Sequence, residues 1–149
     1  MPRFSRSFLF PDVNVWVALT YGGHEHHDLA RAWFEALDPD DRLCFCRFTQ
    51  ISLLRLLTTS AVMGADEVMT QVQAWAAYDQ WTKDGRILFL EEPPNVEAVF
   101  RGLTRQVHPN PKNWADAYLG AFATVTGMRF VTFDRALQGK VENLIILKP

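Results

Sequence analysis

Short apolar runs alternate along the chain with longer stretches whose apolar positions recur at helical spacing. Phe8-Leu9-Phe10-Pro11 predicts a first strand, and Pro11, with no N–H to donate, suits its end. Val13, Trp16, Val17 and Leu19 then follow a helical interval that stops near Tyr21-Gly22-Gly23. Leu29 to Leu37 predicts an amphipathic helix, and Asp38-Pro39-Asp40-Asp41 a turn. Leu43 to Cys46 reads as a second strand. Thr49 is expected to cap a helix running through Leu53, Leu54, Leu56 and Leu57. A longer helix is expected from about Asp66 to Lys83, with Val68, Val72, Trp75, Ala76 and Trp81 as its apolar members and Gly85 at its exit. Arg86 to Leu90 predicts a third strand. Pro93-Pro94-Asn95 ends it, and Asn95 is placed to cap a helix reaching about Gln106. After a polar loop from His108 to Asn113, Trp114 to Thr126 reads as a helix stopped by Gly127. The run from Met128 to Phe133 predicts a fourth strand, and Leu144 to Leu147 a short fifth.

Strands alternating with helices imply an α/β fold whose mostly parallel sheet is covered on both faces. No repeat, low-complexity segment or linker interrupts the pattern, so one domain over residues 1–149 is expected. Hydrophobic residues at 48% and charged residues at 21% fit a soluble globular chain. No segment reaches the ~18 uninterrupted apolar residues of a membrane span, and Met1 to Phe10 lack a secretory h-region. A cytoplasmic location is therefore expected. The net charge of −2 argues against a general nucleic-acid coat protein, but leaves room for an enzyme whose positive charge comes from a metal. Cys44 and Cys46 form a lone C-x-C, a poor zinc signal, and read as two small apolar side chains of a buried strand.

The candidate chemistry lies in three aspartates at element boundaries. Asp12 follows the first strand, Asp116 opens the helix beginning at Trp114, and Asp134 follows the fourth strand. Acids placed where strands end and helices begin can converge on one rim of a parallel sheet. Converging carboxylates repel, and a divalent cation relieves them, which points to metal-assisted hydrolysis of a phosphodiester. Each acid also has a plainer reading. Asp12 suits the cap of the helix beginning at Val13, Asp116 suits a helix dipole, and Asp134 can pair with Arg135. What the plain reading of Asp116 omits is its setting: an apolar helix expected to be buried, where an acid needs a partner. Asn14, in the first helical turn after Asp12, is placed to help orient a metal-bound water.

Asp12-Val13-Asn14-Val15-Trp16, Asn113-Trp114-Ala115-Asp116-Ala117-Tyr118-Leu119 and Val131-Thr132-Phe133-Asp134, in that order, resemble the PIN-domain nucleases. The likeness is nearest to VapC toxins, the ribonuclease halves of VapBC toxin–antitoxin pairs, and covers the chain from Phe8 to Leu147. The resemblance implies a three-layer α/β/α sandwich and an RNA-cutting enzyme. It implies that Asp12, Asp116 and Asp134 hold Mg²⁺, with Mn²⁺ as an alternative. It also implies a small VapB-like antitoxin that covers the acidic pocket; a homodimer is a further expectation. One departure stands out. The family usually carries a further acid, commonly Glu, on the helix after the second strand, where this chain has Ser52. Gln50 or Ser52 would then supply a neutral oxygen, and a second metal is in doubt. Arg47, Arg55, Lys112 and Arg135 are candidates to hold the RNA backbone, since phosphate contacts position a strand without specifying it.

Two rivals follow. The missing Glu permits a non-catalytic module of the same fold that binds RNA or a protein. A phosphatase with Asp12 as nucleophile lacks the D-x-D pattern, because position 14 is Asn. His24-Glu25-His26-His27 lacks the H-E-x-x-H spacing and is expected to form a loop and a helix start. No G-x-S-x-G occurs to support a serine hydrolase.

Overall fold

The computed structural model describes residues 7–149; the search of the amino terminus for a secretory signal falls partly on residues 1–6, outside the described residues. Among the described residues the chain forms one sheet of five parallel strands: β1 (Phe8–Pro11), β2 (Arg42–Phe45), β3 (Ile87–Phe89), β4 (Arg129–Thr132) and β5 (Leu144–Ile146). Their order is β3-β2-β1-β4-β5. The chain first builds outward from β1 to β3, then returns to lay β4 on the other side of β1. That reversal makes the β1–β4 boundary a topological switch point, where the carboxyl ends of neighbouring strands lead to loops that part.

The strand side chains alternate between two cores, as the pleat requires. Leu9, Leu43, Phe45 and Val131 point to one face, where α1 (Val13–Thr20), α2 (His27–Glu35), α3 (Arg47–Leu57) and α5 (Gln71–Thr82) pack. Phe10, Cys44 and Phe130 point to the other, beneath α6 (Val96–Leu103) and α7 (Asn113–Thr126). The three layers are the expected sandwich. Trp16 lies fully buried in the first core, its ring stacked on Phe45 at 3.9 Å. In the second core Phe10 stacks on Phe122 of α7 at 4.9 Å. Cys44 and Cys46 are both buried in this second core, although Cys46 already lies past the end of β2.

Two helix starts and one helix end differ from the sequence expectation. Cys46, not Thr49, occupies the cap of α3, while the Thr49 hydroxyl reaches back to accept from the Cys46 amide at 2.9 Å. The helix expected from Asp66 begins only at Gln71. There Thr70 and Gln73 satisfy each other's backbone amides in a capping box. The residues before it form the short helix α4 (Ser60–Met63) and a turn at Gly64, whose φ of 82° ends α4. Of the apolar members assigned to α5, Val72 and Trp75 are exposed, and Ala74 and Tyr78 supply the buried contacts. Asn95 occupies the N-cap of α6 as expected, although its side chain makes no capping hydrogen bond. It takes a left-handed φ of 75° before α6, which ends at Leu103 rather than near Gln106.

α7 behaves as expected at its exit, where Gly127 takes a left-handed φ of 72°. Gly120 lets this helix approach the following turn: a Cβ there would stand 2.9 Å from Val141 and 3.1 Å from Leu137. No helix among the described residues is long and apolar enough to cross a membrane.

Candidate active site

β1 delivers Asp12 to the carboxyl edge of the sheet, and the chain turns into α1 at that residue. Asp12 Oδ1 accepts from the Val13 amide at 2.7 Å, so the plain reading as a helix cap holds. Its other oxygen does something the cap does not need. Asp12 Oδ2 accepts from the Thr132 hydroxyl at 2.9 Å, across the β1–β4 boundary. Thr132 Oγ1 in turn accepts from the Asp134 amide at 3.0 Å. One buried hydroxyl therefore ties the first acid to the backbone of the third. Asp134 Oδ1 accepts from the Ala136 amide at 3.0 Å, which folds the chain after β4 back over the site.

Asp116 comes from the other side, in the first turn of α7. Asp12, Asp116 and Asp134 line one cleft together with Phe130, Thr132, Ala136 and Leu137. Its volume is about 10 Å³, room for about one water-sized particle. The trio is electrostatically uneasy. Burial, only partly offset by the Thr132 and Val13 hydrogen bonds, pushes the Asp12 carboxyl up to about 6, and the charges of Asp116 and Asp134 add to the rise. Asp116 is also raised, by burial and then by the charge of Asp134. Among the described residues none of the three carboxylates forms a salt bridge.

The donor set is all oxygen and anionic, which suits a hard divalent cation. As placed, however, no three His, Cys, Asp or Glu side chains among the described residues stand close enough to enclose an ion. The acids converge on one cleft without closing a coordination shell.

The remaining sequence candidates lie elsewhere. Asn14 is exposed on α1, and Ser52 is buried in α3; neither lines the cleft. The Arg47 guanidinium sits over the Phe89 ring at 4.7 Å and donates to Gln50 Oε1. Arg55 lines a separate groove with Ile51, Leu54 and Trp75 between α3 and α5. Lys112 directly precedes α7, and Arg135 follows Asp134; both are exposed. The histidine tract forms a turn leading into α2, as expected, with His24 Nδ1 accepting from the His26 amide at 3.0 Å. Thr132 is the site residue that sequence reasoning passed over. Its signal was present in Thr132-Phe133-Asp134, but its meaning needs the β1–β4 pairing, in which Pro11 stands opposite Val131.

A family model described as PIN domain matches residues 9–142, so the chain belongs to the PIN-domain family. Within that family the chain is 42% identical over 145 residues to Ribonuclease VapC41 of Mycobacterium tuberculosis, covering 94% of this chain and 99% of that protein. It is 36% identical over 140 residues to Ribonuclease VapC29 of the same organism, covering 93% and 94%. Among solved structures, the sarcin–ricin-loop cleaving toxin VapC20 of M. tuberculosis superimposes with a TM-score of 0.66 at 15% identity, covering 91% of this chain and 97% of that one. VapBC-1 of nontypeable Haemophilus influenzae gives a TM-score of 0.64 at 17% identity, covering 93% and 96%. These structural likenesses establish the fold.

Proposed function

We propose that this chain is an endoribonuclease toxin of the VapC type, a single nuclease domain that hydrolyses RNA phosphodiesters. The observation that carries the reading is the convergence of Asp12, Asp116 and Asp134 on one cleft at the sheet's switch point, in a chain closely related to named ribonucleases. Asp12, Asp116 and Asp134 would hold Mg²⁺, with Mn²⁺ as a substitute. Bound there, a divalent cation makes water a better nucleophile and offsets charge building on the phosphorus oxygens.

The chain's own residues set the stage for that chemistry. Val13 N–H and Thr132 Oγ1–H each donate to one oxygen of Asp12, fixing the carboxyl while each oxygen keeps further acceptor capacity. Thr132 holds the Asp134 backbone in the same frame. Asp134, exposed where Asp12 is buried, faces the solvent from which the attacking water comes. Lys112 and Arg135 flank the acids along the chain and would take the RNA phosphates; Asn14 and Ser52 would assist from outside the cleft. Cleavage transfers a water hydroxyl to phosphorus and breaks one P–O bond of the strand, with the released oxygen taking up a proton.

A phosphatase with Asp12 as nucleophile fits less well. Asp12 is only 6% exposed, and both its oxygens already accept hydrogen bonds. A binding module without cleavage draws on Ser52 standing where the resemblance expects an acid.

A toxin needs restraint, and we assign a VapB-like antitoxin as the partner. Leu53 and Leu57 of α3 are core residues, so the apolar side chains that α3 and α5 leave exposed to a partner are Phe48, Ile51, Val72 and Trp75. The same surface would serve a homodimer. Incubating purified, antitoxin-free protein with total RNA tests the function. Cleavage in Mg²⁺ that stops in chelator supports it; intact RNA in both supports the binding module.

A further inference from the structure

α7 presents two different faces to solvent. Asp116 looks into the acidic cleft, while Trp114 and Tyr118, four residues apart and therefore on one side of the helix, line a second cavity. That cavity has a volume of about 610 Å³ and lies between α6 and α7. Phe100, Arg101 and Arg105 form one wall and Glu92 its edge.

The aromatic rings there are fixed against one another and leave one large ring bare. Tyr118 meets Phe100 edge to face at 5.7 Å and 89°. Phe100 meets Trp114 at 6.0 Å and 68°. Phe48 closes the set beside Tyr118 at 5.5 Å. Tyr118 Oη donates to Glu92 Oε1 at 2.6 Å, which locks its ring. Trp114, at the outer end of this chain of rings, is 58% exposed. An indole held in place and open to water offers a flat face on which a base can stack.

The cavity also stands on the same edge of the sheet as the acids. Phe48 follows β2 and Glu92 follows β3, both past the carboxyl ends of those strands. Trp114 is two residues from Asp116, about 3 Å along the helix axis but on the other side of α7, so a strand joining the two sites crosses the width of that helix. The walls mix rings, guanidinium groups and carboxylates, whereas a partner helix would call for a continuous apolar stripe. Arg101 is paired with Glu97 at 2.9 Å, but Arg105 forms no salt bridge among the described residues.

We propose that this cavity receives an unpaired nucleobase of the RNA strand whose neighbouring phosphodiester lies over the acidic cleft. The base stacks on Trp114, Arg105 meets a backbone phosphate, and the Glu92 carboxylate faces the base edge. The proposal rests on the ribonuclease reading above and adds to it a means of holding the strand. Unpaired bases splayed onto aromatic side chains are a general mode of RNA recognition. At a net charge of −2 the chain has little overall attraction for phosphates, so base stacking adds affinity beyond a few local cation contacts.

The test is the affinity of the whole chain for a fluorescein-labelled single-stranded RNA 12-mer of randomised sequence, read by anisotropy in chelator so that nothing is cut. Trp114→Ala should weaken binding roughly 10-fold, within the range of one lost base stack, and Trp114→Phe should stay within about 3-fold of the parent. Arg105→Ala should reduce the slope of log affinity against log salt by about 1, which Trp114→Ala should not. Unchanged binding by Trp114→Ala overturns the proposal. So does a loss that appears only with a change in molar mass, because the cavity is then an interface between copies. A parallel cleavage assay in Mg²⁺ separates the two levels. If the parent cuts RNA and Trp114→Ala binds equally well, the base site falls and the nuclease stands. If the parent neither binds nor cuts, both fall.

Discussion

The Thr132 hydroxyl donates to Asp12 Oδ2 at 2.9 Å, joining residues 120 positions apart in the chain. Thr132 Oγ1 also accepts from the Asp134 amide, so two of the three acids share one buried hinge. Thr132→Val keeps the shape and removes the hydroxyl. Asp12 then loses a donor while still buried, which should cost ~1–3 kcal/mol of stability above pH 6. Thr132→Ser should recover most of it. Urea denaturation of the three proteins checks this, and equal midpoints for the parent and Thr132→Val would refute the hinge.

Burial moves the Asp12 carboxyl from its ordinary 3.8 up to about 6. The folded protein therefore holds a proton there that the unfolded chain has already released. Stability of the metal-free protein is highest below about pH 4 for this group and is lost as pH rises towards 6, by ~3 kcal/mol in all. A divalent cation that binds the carboxylate reverses the loss. Mg²⁺ or Mn²⁺ should raise the melting temperature clearly at pH 7.5 and little at pH 5, where protons compete. Equal shifts at both pH values would mean the ion binds elsewhere.

The four cations named from the sequence should separate by position. Lys112 and Arg135 flank the acids, whereas Arg55 lies in the α3–α5 groove and Arg47 is engaged with Gln50 and Phe89. Lys112→Ala and Arg135→Ala should each lower the salt slope of RNA binding by about 1. Arg55→Ala should leave RNA binding unchanged and weaken capture of the antitoxin. A salt slope that moves equally for all the variants would show that position carries no information.

Burial pushes the Cys44 thiol up to about 12 and raises Cys46 as well. Thiolate, not thiol, reacts with disulfide reagents. Neither cysteine should react with such a reagent at pH 8 in the native protein, and both should react in denaturant. Rapid labelling of either in the native state would contradict the packing of the second core.

Much of this arrangement was legible in the sequence, and the reasons differ by element. Phe8 to Pro11 was readable as β1 because three large apolar residues run into a proline and then an acid. Gly127 stopped α7 as expected because only a residue at ease at positive φ fits there. Thr49 misled because a hydroxyl at the third helical position can serve the cap as well as one at the cap itself. α5 starts later than its apolar pattern suggests because Val68 packs against the core from a loop, so its apolar character carries no helical meaning. The three acids were legible as boundary residues able to converge on one rim, and they do share a cleft. The strand neighbours that bring them together were not legible, because β4 lying beside β1 is encoded by no local pattern. Thr132 was hidden for the same reason.

If the three carboxylates on one cleft hold the cation that cuts RNA, losing one of them must abolish cleavage without unfolding the protein. The most direct measurement is the rate at which the parent and Asp116→Asn cleave end-labelled RNA in Mg²⁺, with circular dichroism confirming that both are folded. Removing a ligand should cost more than the ~10–100-fold typical of a residue that merely supports one, so Asp116→Asn should fall at least ~100-fold. It should also melt no lower than the parent, since it relieves a repulsion. Cleavage by Asp116→Asn at the parent's rate would contradict the account.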